Sequence, residues 1–161
     1  MRISFSGRTL ACQARSGSSI LPIRTKLMEE HRVNISQKTF IFRDDGTFLT
    51  LLRTKTAPTR PLTWDLPGGV YEYGEDAEES ARREIREETS LEVGKLIPIT
   101  IESEVHKDGV CVVSIAYKTI LRSGKVTLSY EHGEHQWVTP QEFLKLKSSP
   151  KWERIAREKL L

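Results

Sequence analysis

The sequence predicts a mixed α and β domain in which a curved, largely antiparallel or mixed sheet carries helices on its faces. Three observations lead there. Strand-like apolar runs recur between turn residues, a long charged segment of the good helix formers Ala, Glu and Arg interrupts them, and two helix-start signatures follow near the C-terminus. With 161 residues, 37% of them hydrophobic and 29% charged, the chain suits one globular domain. No apolar run approaches the roughly 20 residues of a spanning helix, so no membrane partner is expected.

Taken in order, the chain opens with a basic extension over residues 1–33, ahead of a domain over residues 34–161. Arg2, Arg8, Arg15, Arg24 and Lys26 fall within the first 28 residues, which hold no acid. The net charge of +3 therefore belongs to the extension and does not describe a nucleic-acid surface on the domain. Its Ser/Arg-rich composition is compatible with an organelle transit peptide, with a mobile tail, or with a start placed too early, Met28 being the next methionine. Otherwise a cytoplasmic location is expected. Cys12 and Cys111 form neither a disulfide framework nor a metal spacing, which suits a reducing compartment, and Cys111 reads as a buried strand residue.

"ISQKTFIF" and "FLTLLR" flank "RDDGT", whose Asp44, Asp45 and Gly46 supply hairpin chemistry. "RTKTAPTRPLTW" reads as a loop because Pro58 and Pro61 interrupt pairing, and "DLPGG" is a second break. After the charged segment, "LIPITIESEV", "GVCVVSIAYKTIL", "KVTLSYE" and a short "HQWV" read as strands. Thr139, Pro140 and Glu142 make a capping box with Pro in the first turn, and Ser149 and Pro150 repeat part of it before "KWERIAREKLL".

The charged segment poses the chemical question. On a helix, Glu84, Glu87 and Glu88 fall on one face, and three like charges there require compensation. Arg82, Arg83 and Arg86 could provide it as surface pairs. A hard divalent cation could also provide it, since Mg²⁺ prefers oxygen ligands and keeps waters and substrate phosphates in its remaining positions. Spacing alone leaves both readings open. His132 and His135, interleaved with Glu131 and Glu134, have no Cys or third His nearby and do not read as a zinc site.

Gly69, Glu75 and then Arg83, Glu84, Ile85, Glu87, Glu88 and Leu91 together resemble the Nudix box, G-x5-E-x7-R-E-U-x-E-E-x-G-U with U aliphatic. Ser90 alone departs, standing where the family has glycine. "WDLPGG" before the box and "EHGEHQWVTPQEF" after it are also similar to Nudix segments, so the resemblance spans about Asn34 to Phe143. It implies an α+β fold of the Nudix type, an α/β/α sandwich with a curved mixed sheet. It also implies a MutT-like hydrolase that cleaves a nucleoside diphosphate linked to another group, using Mg²⁺ or Mn²⁺.

Carried over by position, Glu84, Glu87 and Glu88 are the implied metal ligands, joined by a carbonyl of the Gly68-Gly69 turn. Glu75 and Arg83 support the box, Arg83 by charge-assisted hydrogen bonds. Glu87 is the first candidate for the base and Glu134 the second. Arg53, at a strand end, is the candidate substrate-binding residue. Ser90 is expected to take a left-handed conformation at a cost of roughly 1 kcal/mol.

The implied partner is a small nucleotide, with no nucleic acid expected and the oligomeric state left open, a homodimer included. "SEVHKDG" lacks the proline of ADP-ribose hydrolases, and Tyr117 lies too far on for a dinucleoside-polyphosphate hydrolase. A (deoxy)nucleoside triphosphate, oxidised ones included, is the expected substrate, with a dinucleoside polyphosphate, ADP-ribose or another nucleotide-linked substrate as the alternative. A catalytically inactive nucleotide-binding regulator is the alternative from another class, although the box acids are all present.

Overall fold

The computed structural model describes residues 32–161. The expectations for the basic extension and for Cys12 fall outside the described residues.

The hairpin forms as its turn chemistry requires. β1 (Val33–Phe42) runs into β2 (Phe48–Arg53) through a turn in which Arg43 N–H donates to Thr47 O at 2.8 Å and Gly46 takes φ +81°. β3 (Trp64–Asp65), α1 (Ala77–Thr89), β4 (Glu92–Val93), β5 (Ile97–Val105), β6 (Cys111–Ser123), β7 (His132–Val138), α2 (Pro140–Phe143) and α3 (Pro150–Lys159) follow. The sheet has the order β3-β2-β1-β6-β4, with β5 also pairing β6 and β7 also pairing β2. β1 and β6 are parallel from Val33 opposite Cys111 to Phe42 opposite Ile120, and the other pairs are antiparallel. The expected mixed sheet is therefore present.

Alternation along the strands divides the core into two layers. Phe40, Phe48 and Ala116 pack with Phe143, Trp152 and Ile155 of α2 and α3. Their neighbours Ile41, Leu49 and Tyr117 pack with Ala81 and Ile85 of α1. Helices thus cover both faces of the sheet, and each layer is apolar enough to exclude water from the strands between them.

Several local expectations change. "KVTLSYE" is not a strand: Thr127 N–H donates to Thr89 O at 2.9 Å and Ser129 N–H to Glu88 O at 3.3 Å. Its backbone meets the last carbonyls of α1, which a helix end leaves without partners, and no ladder forms there. The capping box at Thr139 and Glu142 is complete, but Ser149 makes no side-chain cap bond; Ser148 Oγ bonds Glu153 Oε1 at 2.9 Å instead. Cys111, first in β6, is half-buried rather than buried. Ser90 does end α1 in the left-handed region, at φ 58° and ψ 24°.

Candidate active site

α1 begins where Asp76 accepts hydrogen bonds from the N–H groups of Glu78 and Glu79, satisfying two donors of the first turn. Its buried stripe runs through Ala81, Ile85, Glu88 and Thr89, the spacing of a helix seated on a sheet. Because Ile85 is driven into the core, Glu88 one turn later is carried to the sheet with it and is 8% exposed. Glu84 lies beside the stripe and Glu87 farther round, so the three acids grade from buried to open.

Arg83 binds this face together. It meets Glu75 through two hydrogen bonds, of 3.0 and 3.1 Å, and reaches Glu84 at 2.8 Å and Glu87 at 3.2 Å. The guanidinium beside it holds the Glu75 carboxyl below the usual carboxylate range.

The Gly68-Gly69 turn faces the helix. Gly68 has φ +127°, and a Cβ there would lie 2.2 Å from the Gln37 backbone oxygen, so only glycine fits. A Cβ on Gly69 would lie 2.2 Å from Glu84 Oε2. The turn is thus a cradle for that carboxylate. Gly68 N–H donates to Glu88 Oε2 at 2.8 Å. Both turn carbonyls already accept one bond, Gly68 O from Lys38 Nζ and Gly69 O from Gln37 N–H, which leaves each a second lone pair.

Glu84, Glu87 and Glu88 line a cavity of about 670 Å³ together with Gly68, Gly69 and Arg53. The fold therefore brings every acid expected as a ligand, and the expected substrate arginine, to one place. Glu134 is not brought there. It is exposed on β7 opposite Leu52, next to a register shift at Leu52/Arg53, and Glu131 occupies the cavity rim in its stead. Sequence reasoning also missed three cavity residues, Lys38, Arg60 and Asp65. Lys38 and Asp65 each sit in a strand, where one residue says nothing of its partner; only the Pro-flanked position of Arg60 marked its loop. A hollow of about 690 Å³ at the far ends of β1 and β6 contains the single acid Asp44 among its lining residues and lacks such an array.

Electrostatically the cavity has two walls. Burial pushes Glu88 up to about 7, with Asp65 and Glu84 adding to the rise and Lys38 and the Gly68 N–H opposing it. Asp65 behaves in the opposite way. Burial would raise it, but Lys38, Arg60, the Leu66 N–H and Arg53 hold it below the usual carboxylate range. Burial, with Lys38 and Arg53 nearby, also pushes His132 down to about 4, so its unpartnered ring is neutral at neutral pH.

Among the described residues no three acidic, imidazole or thiol groups converge on one point as they stand. The donor set nevertheless fits a hard cation: it is all oxygen, and its buried member carries a charge that its surroundings leave undercompensated. In the same cavity Lys38, Arg53 and Arg60, gathered around Asp65, form a cationic wall that suits phosphate.

The chain matches the family model of the NUDIX domain over residues 35–159. It is 28% identical over 112 residues to the nucleoside triphosphatase NudI of Escherichia fergusonii, covering 63% of this chain and 79% of that one. A MutT protein from Methanosarcina mazei Go1 superposes with a TM-score of 0.65 at 28% identity, covering 80% of this chain and 94% of the other. A MutT NUDIX hydrolase from Burkholderia pseudomallei superposes at 0.66 and 25% identity, covering 81% and 100%.

Proposed function

The chain belongs to the Nudix family and is a Nudix pyrophosphohydrolase, and from that premise we propose that it hydrolyses a (deoxy)nucleoside triphosphate, oxidised nucleotides included, with Mg²⁺. One observation carries this reading: a single cavity is lined by three carboxylates of one helix face and by three cations of separate origin. The likeness to a nucleoside triphosphatase and to MutT proteins supports the same substrate class.

Glu84, Glu87 and Glu88, with a carbonyl of the Gly68-Gly69 turn, would hold Mg²⁺, or Mn²⁺ in its place. The ion, when bound, neutralises phosphate charge and lowers the pKa of a bound water. The chain supplies the remaining functions. Arg83 keeps Glu84 and Glu87 turned toward each other against their repulsion. Glu87, the most open of the three, would take the proton of the attacking water. Arg53 has Nε tied to Thr59 O at 2.9 Å, so its guanidinium presents a fixed positive charge to the substrate phosphates.

The test is product release from a panel of canonical and oxidised nucleoside triphosphates, dinucleoside polyphosphates and ADP-ribose, with Mg²⁺ or Mn²⁺. Turnover of a triphosphate that Glu87→Gln lowers by about two orders of magnitude or more is expected. Preferential turnover of a dinucleoside polyphosphate or ADP-ribose would replace the substrate assignment. Normal turnover by Glu87→Gln would remove Glu87 from the mechanism.

A further inference from the structure

Asp65 is 1% exposed and meets three cations, Lys38 Nζ and Arg60 Nη2 at 3.4 Å and Arg53 Nη1 at 3.8 Å. One carboxylate balances one of these charges, so this wall of the cavity carries surplus positive charge at the place a polyanion would meet it. The three cations are not equivalent. Lys38 is 6% exposed, donates hydrogen bonds to Leu66 O at 2.9 Å and to Gly68 O, and pairs with Asp65. Arg53 is 8% exposed and is tied through Nε to Thr59. Neither can move without leaving buried groups unpaired.

Arg60 can. Its side chain is 45% exposed, and its single contact with Asp65 lies at the long end of hydrogen-bonding distance. The backbone beneath it is held firmly. Thr63 Oγ1 donates to Arg60 O at 2.6 Å, Leu62 N–H to Arg53 O at 3.3 Å, and Arg53 N–H to Thr63 O at 3.0 Å. Arg60 and Leu62 are also held at φ 47° and 54°, a region that costs a side-chain-bearing residue about 1–2 kcal/mol and persists where surrounding contacts impose it. A strained, anchored loop thus presents a loosely held guanidinium at the cavity.

We propose that Arg60 is a substrate-binding residue whose guanidinium leaves Asp65 for a phosphate group of the bound nucleotide, while Lys38 and Arg53 stay behind to balance Asp65. This rests on the reading of the cavity as a nucleotide pyrophosphohydrolase site. It assigns the cationic wall a division of labour: two fixed charges that keep Asp65 neutralised and one movable fork that matches phosphate geometry.

The test is calorimetric binding of a non-hydrolysable α,β-methylene nucleoside triphosphate, with Mg²⁺, to wild type, Arg60→Gln and Arg60→Lys, beside kcat and KM for the substrate found. Arg60→Gln is expected to weaken analogue binding and raise KM by about tenfold or more, with kcat little changed. Arg60→Lys should fall between, because it keeps the charge and loses the fork. Wild-type thermal stability in both variants would confirm that the loop survives. Equal analogue affinity in wild type and Arg60→Gln, where wild type turns over a triphosphate, overturns the Arg60 assignment alone. A wild-type chain that neither binds nor cleaves a triphosphate overturns the site reading and the assignment together.

Discussion

The two walls of the cavity solve opposite electrostatic problems by different means. On the cationic wall Lys38 donates to two carbonyls and pairs with Asp65, and Asp65 is ringed by three cations. On the acidic wall Arg83 serves Glu75, Glu84 and Glu87, while Glu88, the most buried, receives a single backbone N–H, and the nearby Lys38 offsets its burial and its acidic neighbours Asp65 and Glu84 only in part. The cationic wall thus keeps its one buried acid neutralised and still carries surplus positive charge. The acidic wall carries more negative charge than Arg83 offsets, and the proposed Mg²⁺ would meet it there.

The comparison breaks most sharply at the acids. Loss of Glu87, as Glu87→Gln, is the largest expected change and falls on kcat, whereas neutralising a residue of the other wall should act first on stability or KM. Lys38→Met would leave the Leu66 and Gly68 carbonyls without their donor inside a buried turn. A loss on the order of 3 kcal/mol in folding free energy is expected, read from urea midpoints. A midpoint equal to wild type would mean that the cationic wall is not structurally closed.

Glu88→Gln should do the reverse in metal-free protein. Glu88 titrates at about 7 in the folded chain against 4.5 when unperturbed. A pKa raised on folding contributes stability that is present below the unfolded value and is lost as pH rises through the folded one. At pH 8 the ionised Glu88 therefore costs the fold on the order of 3 kcal/mol relative to acid. The glutamine variant should lose this dependence and gain stability at pH 8 while losing metal affinity. If both proteins melt alike across pH 5 to 8, Glu88 is not undercompensated.

The same proton competes with metal, so apparent Mg²⁺ affinity should rise with pH up to about 7, by at most about tenfold per unit, and level off above it. Titrations at pH 6 and 8 would check the sign. Least of all, Ser90→Gly, at the helix end that carries the acidic wall, should add about 1 kcal/mol without moving kcat.

The acidic wall was legible in the sequence because a helix places i, i+3 and i+4 together whatever surrounds it. Glu84, Glu87 and Glu88, the Glu75 and Arg83 supports and the left-handed Ser90 could all be placed from spacing and a motif. The same locality gave the Asp44-Asp45-Gly46 hairpin turn and the Thr139-Glu142 capping box. It misled at "KVTLSYE", where strand-like composition met the free carbonyls of α1 before it met a strand.

What only the tertiary structure decided is the opposite wall. Lys38 from β1, Arg53 from the end of β2, Arg60 from a loop and Asp65 from β3 converge because β2 pairs with both β1 and β3, and no local period relates these positions. A lysine in a strand reads as solvent-facing until a partner carboxylate is brought beneath it. By itself the sequence determined which acids share one helix face, since a single helix turn suffices for that. Which residues meet the phosphate depended on the sheet, because balancing buried charge takes partners from distant strands.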